Sequence, residues 1–124
     1  MVTGTMTFDA NAVQEFHAHV YYDMATRGSA SAMRDRMVGM AGSRLKVYTL
    51  SDGPRGPHVM PMFGVDIPRS DLPEVLSYLM MHHGPHAVLI HPVTDDELKD
   101  HTHHALWLGE RQPLNLSVLG SGIA

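Results

Sequence analysis

Cysteine is absent from this chain of 124 residues. Its absence excludes disulfides, thiolate nucleophiles, iron–sulfur clusters and thiolate zinc sites, so any metal must be held by nitrogen and oxygen. Basic charge is also scarce: Lys and Arg total 9 against 13 Asp and Glu, for a formal net charge of -4. The basic residues are scattered and form no stripe that would follow a phosphate backbone, which argues against nucleic acid as a partner. No apolar run approaches the roughly 20 residues of a membrane span. The opening MVTGTMTFDANAV has neither the basic nor the apolar segment of a secretory signal, so a cytoplasmic protein without membrane contact is expected. The length suits one domain over 1–124, with a core at 14–119 and short tails, burying roughly two-thirds of its unfolded surface.

Histidine stands out against this background. There are 10, more than Lys and Arg together.

Periodicity predicts alternating strands and helices. Residues 14–22 alternate and are rich in aromatic and β-branched types, which reads as a strand ended by Asp23. Ala30, Met33, Met37 and Met40 recur at helical spacing within 24–41, and this methionine stripe reads as core packing rather than as ligands. RLKVYTL at 44–50 predicts a second strand. SDGPRGP at 51–57 is a turn, and a third strand at 58–66 completes a hairpin. Ser70 or Asp71 caps a helix with Pro73 in its first turn and an apolar stripe of Leu72, Val75, Leu76, Leu79 and Met80, ending before Gly84. His82 and His83 in its last turn read as solvated residues favoured by the helix dipole. A fourth strand at 86–91 is halted by Pro92, and TDDELKDHTHHALWL predicts a short helix capped by Thr94 that runs into an apolar tail.

The resulting order is βαββαβ with a C-terminal extension. It predicts an α+β, ferredoxin-like sandwich in which a four-stranded antiparallel sheet carries two helices on one face. Because strand side chains alternate, Phe16, Ala18, Val20, Leu45, Val47, Val59, Phe63, Val65, Val88 and Ile90 fall on the helix-packed face. The opposite face receives His17, His19, Tyr21, Arg44, Lys46, Tyr48, His58, Met60, Met62 and His91. In this fold the first and third strands are central neighbours and the fourth flanks the first. His17, His19 and His91 would therefore converge on one ion with His58 nearby, and imidazole suits iron, zinc, copper and nickel. The carboxylates Asp96, Glu97 and Asp100 lie on the extension, which favours a three-histidine ligand set over a two-histidine, one-carboxylate set. Met60, Met62 and Tyr21 would leave this face apolar. Either the segment around Leu106, Trp107 and Leu108 or a second subunit should cover it, and a homodimer is expected.

The strings FHAHVYYD, GPHVMPMFGVDIP, LIHPVTDDELKDHTHHALWLGE and LNLSVL resemble the DOPA 4,5-dioxygenase family of extradiol ring-cleaving enzymes, in order and spacing over about residues 15–119. The resemblance implies a ferredoxin-like subunit, usually dimeric, that uses iron(II) and dioxygen to open a catechol such as DOPA beside its two hydroxyls; zinc or another divalent metal could occupy the same imidazoles. With the metal held by His17, His19 and His91, His58 is the first candidate to move protons and His101 or His104 the second, and Tyr48 or Arg44 would hold a substrate ring or carboxylate on the same face. The chain departs from the family pattern at Gly64, Asp95 and His103, none of them a candidate ligand. Two other classes compete with this reading. A cofactor-free or haem-type monooxygenase on a related barrel would not need three strand histidines facing one cavity. A non-catalytic metal sensor or storage domain would, but it would take up no oxygen with catechols.

Overall fold

The computed structural model describes residues 8–120; the short tails at 1–7 and 121–124 lie outside the described residues. Five strands form one open antiparallel sheet: β1 Glu15–Tyr21, β2 Lys46–Val47, β3 Met62–Pro68, β4 Val88–Pro92 and β5 Leu106–Leu108. They lie in the order β2-β3-β1-β4-β5. Helices α1 Arg27–Val38 and α2 Leu72–His82 supply buried Ala30, Met33, Met37, Val75 and Leu79 to a core shared with Ala18, Val20, Phe63, Val65, Val88 and Ile90. A four-residue α3, Glu97–Asp100, sits in the extension. This is the ferredoxin-like α+β architecture, with the first and third strands central, enlarged by one edge strand from the C-terminal segment.

Several boundaries differ from the expected ones for local reasons. Asp23 and Thr26 bond each other reciprocally, the Thr26 N–H donating to Asp23 Oδ1 at 2.9 Å and the Asp23 N–H to Thr26 Oγ1 at 3.0 Å. That turn delays α1 to Arg27, and the helix stops at Val38 rather than reaching 41. The second strand shrinks to two residues because Ala41, Gly42 and Ser43 take left-handed φ values of 52°, 60° and 65° and Arg44 a helical one. Extended pairing cannot begin until Lys46. The third strand starts at Met62, not 58, because Arg55–His58 closes its own tight turn first; Val59 is consequently 42% exposed and leaves the core. Thr94 is not the cap of α3. Its hydroxyl donates to Asp100, and Asp96 caps by accepting from the Lys99 N–H at 3.0 Å. Met80 is exposed, so the buried stripe of α2 is Val75 and Leu79 with Leu72 and Leu76 at its margin.

The second sheet face has a smaller apolar cluster of Tyr21, Met62 and Leu89, packed by Met60, Ala87, Ala105, Trp107 and Leu114. Trp107 stacks on Tyr21 with ring centroids 5.8 Å apart and an interplanar angle of 22°. Of the two expected covers, the C-terminal segment therefore provides one within the same chain. Residues 114–120 then cross the loop before β3: the Asn115 N–H donates to the Pro57 carbonyl at 2.7 Å, Leu114 bridges His58, and the Leu98 N–H donates to the Gly120 carbonyl at 2.9 Å.

Phe63 has no exposed surface and sits where β3 faces the helices. Phe63→Ala is expected to remove about 3–5 kcal/mol of stability, read as a lower urea midpoint at unchanged slope.

Candidate metal centre

The sheet register builds the site. β1 lies between β3 and β4, His17 is directly opposite His91 on one side and Asp66 on the other, and His19 is opposite Gly64. Side chains at i and i+2 share a face, so His17, His19 and His91 project together. His58 enters from the tight turn before β3, and His101 from the end of α3. The result is a nest of five imidazoles. Ring centroids are 4.0 Å apart for His19 and His58, 4.2 Å for His91 and His101, and 5.3 Å for both His19–His91 and His17–His91.

Hydrogen bonding on the outer side of each ring decides what it presents inward. His91 Nδ1 donates to the Pro92 carbonyl at 2.8 Å and His101 Nδ1 to the Glu97 carbonyl at 2.7 Å, which leaves both Nε2 atoms as lone pairs. His17 Nε2 donates to Glu15 Oε2 at 2.6 Å and lies 3.1 Å from Asp66 Oδ1, leaving Nδ1 as its acceptor. This carboxylate–histidine pairing is the usual outer support of a metal-bound imidazole. His58 differs. Its Nδ1 lies 2.7 Å from the hydroxyl of buried Tyr21, whose phenol is held protonated because burial raises its pKa. The arrangement that satisfies the phenolic hydrogen makes Tyr21 the donor and leaves the His58 proton on Nε2.

The donor set fits a divalent cation. Ligand atoms of His17, His19 and His91 lie within 4.8 Å of one another, and an overlapping set of His19, His58 and His101 meets the same limit. His19 Nε2 and His91 Nε2 are 3.2 Å apart, about the separation of two nitrogens bonded to one ion at about 2.1 Å. Among the described residues, His19 Nδ1 is buried with no hydrogen-bond partner, while its Nε2 faces that of His91. Burial, reinforced by the neighbouring imidazoles, pushes His19 well below the ordinary histidine range. Burial likewise brings His58 and His91 down to about 4. All three are thus neutral at physiological pH, the form that binds metal.

Among the described residues, two clefts are lined by His17, His19 and His58 together. One of about 390 Å³ reaches His17, His19, His58, His91 and His101 under Val118 and Leu119. The other, about 300 Å³, runs from His17, His19 and His58 toward Tyr48, Arg55 and Asp66. Tyr48 lines this second cleft, its hydroxyl donating to Asp66 Oδ2 at 2.6 Å. A Cβ at Gly64 would meet the Tyr48 ring at 3.5 Å and His19 Nδ1 at 3.6 Å, ordinary contact distances, so a small side chain there would line the cleft without a clash.

Two expected site residues are placed elsewhere. Arg44 grips Asp71 through Nε–Oδ2 at 3.0 Å and Nη2–Oδ1 at 2.5 Å, because the left-handed turn before it breaks the strand alternation that assigned it to the histidine face. That pair holds the Asp71 carboxyl below its ordinary range and draws it from capping α2. His104 stands outside the nest, its Nδ1 donating to Asp100 Oδ1 at 2.9 Å. Asp100 is buried and also accepts from the Thr94 N–H and hydroxyl; although desolvation pushes its pKa up, these donors outweigh it and hold the carboxyl low. His104 thereby braces the turn that presents His101. Sequence reasoning missed Glu15 and Asp66, although the alternation that grouped 17 with 19 also includes 15, and that of 60 and 62 extends to 66. It also missed Arg55, for which a turn offers no periodic signal.

Fold and site together define a class: a ferredoxin-like α+β domain whose open sheet face carries clustered imidazoles. The chain belongs to the Dopa 4,5-dioxygenase family, whose profile matches residues 16–118. It is 30% identical over 124 residues to a DOPA 4,5-dioxygenase of Amanita muscaria, covering 94% of this chain and 54% of that protein. It is 29% identical over 125 residues to an uncharacterized 21.2 kDa protein of Botryotinia fuckeliana, covering 93% and 68%. The chain thus spans about half the length of the Amanita relative. The crystal structure of a "putative dioxygenase" from Nostoc punctiforme superposes with a TM-score of 0.81 at 32% identity, covering 90% of this chain and 96% of that one. Among the described residues, no helix is long and apolar enough to cross a membrane.

The neutral imidazoles have a consequence for stability. Unfolded histidines titrate near about 6.5, whereas His58 and His91 do so near about 4 in the fold and His19 also well below its ordinary value. Below the unfolded value the unfolded chain therefore binds more protons, so folding loses free energy as pH falls. Metal-free protein is expected to show a thermal midpoint that declines continuously from about pH 6.5 toward pH 4; a flat midpoint from pH 7 to 5 would contradict the shifts.

Proposed function

We propose that this domain is a metal-dependent extradiol dioxygenase that opens the ring of a catechol such as DOPA with dioxygen, and that His17, His19 and His91 hold an iron(II) ion. The observation that carries the reading is the convergence of these imidazoles from two hydrogen-bonded central strands, their ligand atoms within 4.8 Å of one another. Paired strands hold ligands more rigidly than the turn and helix end that carry His58 and His101, which favours this set over the overlapping one. A bound iron(II) supplies a Lewis-acid centre for a catecholate and a route for electrons between ring and dioxygen.

The remaining work falls to the chain's own groups. His58, neutral with its N–H on Nε2 and Tyr21 behind it, would donate a hydrogen bond to a group bound in the nest. His101, with a lone pair on Nε2, is placed to accept one. Asp66 restrains His17 and Tyr48 together, so ligand orientation and the wall of the second cleft are coupled. Val118 and Leu119 over the larger cleft limit the access of water. A small catechol and dioxygen are the partners this reading needs. A homodimer accompanies it as an expectation of the family resemblance, and a cytoplasmic setting as an expectation of the sequence.

A second reading has one observation in its favour. The overlapping set of His19, His58 and His101 gives an ion enough imidazoles to be enclosed by protein alone, as a sensor or storage site would require.

Anaerobic reconstitution with iron(II), followed by oxygen uptake and visible absorbance with DOPA, caffeate and catechol, separates the two. About one oxygen consumed per catechol is expected. His17→Ala, His19→Ala and His91→Ala should each weaken metal binding by at least about 100-fold, more than the loss typical of an outer-sphere partner. Tight metal binding with no uptake on any catechol would favour storage or sensing, and metal binding indifferent to all three substitutions would sink the ligand assignment.

A further inference from the structure

We infer that Arg55 is the carboxylate anchor of the site, so that the catechols this domain favours carry an acidic side chain. The inference rests on the ring-cleavage reading for its choice of catechols, but its geometry is independent of it. Arg55 and His58 are the two ends of a tight turn: the Arg55 N–H donates to the His58 carbonyl and the His58 N–H to the Arg55 carbonyl, both at 2.9 Å. Gly56 makes the turn possible with φ at 55°. Residues paired across such a turn project to the same face. His58 points into the imidazole nest, 4.0 Å from His19 between ring centroids, so Arg55 is directed to the same side and lines the cleft with His17, His19 and Tyr48.

Elimination reinforces the placement. Arg27 is paired with Asp52, Arg44 with Asp71 and Arg34 with Asp35, while Arg69 donates to the Ala10 and Val13 carbonyls. Lys46 lies 5.0 Å over the Tyr48 ring. Arg111 borders a separate cleft that includes His101 and Trp107 but neither His17 nor His19, and Arg36 and Lys99 line neither cleft of the histidine nest. Among the described residues, Arg55 makes no ion pair and is the basic residue lining a cleft with His17, His19 and His58. The acidic group in that cleft, Asp66, is already engaged by His17 and Tyr48. A guanidinium left uncommitted beside the proposed ring site matches a carboxylate in charge and in its paired donors. The turn also separates the two tasks, His58 facing the ring and Arg55 its substituent.

The test is equilibrium binding of 3,4-dihydroxyphenylacetate and of its primary amide to the zinc-loaded full chain at low salt, with Arg55→Gln and Arg55→Lys beside the parent. Circular dichroism melts check that the variants fold. The parent should prefer the acid by about 10-fold, as expected for a charge-assisted pair at a partly exposed site. That preference should shrink with added salt, fall to near one in Arg55→Gln and persist in part in Arg55→Lys. An unchanged acid-to-amide ratio in Arg55→Gln, or no preference in the parent, would overturn the assignment. Oxygen uptake by the iron-loaded parent distinguishes the two failures. Uptake with an Arg55-independent preference removes only the anchor, whereas an Arg55-dependent preference without uptake keeps the anchor and removes ring cleavage. Binding of neither compound overturns both.

Discussion

Everything distinctive about this molecule depends on the pairing of β1 with β3 on one side and β4 on the other. The register places His17 against His91 and Asp66 at once, and His19 against Gly64. Because side chains alternate, a slip of one residue would move Phe16, Ala18 and Val20 to the open face and bury the histidines against the helices. The apolar core on the helix side therefore acts as the alignment device for the polar site on the other. Phe63 and Ile67 in β3 and Val88 and Ile90 in β4 hold the register by burial.

The two faces of the sheet solve different problems. On the helix side apolar contact suffices. On the open face, Tyr21, Leu89 and Trp107 seal one end, and the other end packs imidazoles of which His19, His58 and His91 are kept uncharged by burial. Four of the five rings are steadied from outside: His91 and His101 by backbone carbonyls, His17 by carboxylates and His58 by a phenol. The variety matters chemically, since it assigns lone pairs and protons to different positions around one small space.

How much of this was legible in the sequence follows from which signals are periodic. Strand alternation placed His17, His19 and His91 on one face, and the βαββαβ order made their strands neighbours. The same rule failed at Arg44, where a left-handed turn interrupts the extended chain, and at Val59, where a tight turn replaces the start of a strand. The fifth strand was not read because Leu106–Leu108 is short and its pairing with β4 is a tertiary event. Glu15 and Asp66 obeyed the alternation but were passed over in favour of acidic residues in the extension. Arg55 lies in SDGPRGP, where composition indicates a turn and gives no direction for a side chain.

The position of β1 within the chain also has a temporal consequence. Of the five strands it is the first to be synthesised, yet it occupies the middle of the sheet, and its partners begin 47 and 73 positions after its own start at residue 15. A growing chain therefore carries β1 with both edges unsatisfied, its alternating apolar residues exposed and its histidine pair without His91 opposite. Long-range antiparallel closure of this kind is slow compared with helix formation. Until β4 emerges, the central strand is an open template for foreign strands, and the same edges that later hold the imidazoles in register are the ones most exposed to mispairing during synthesis.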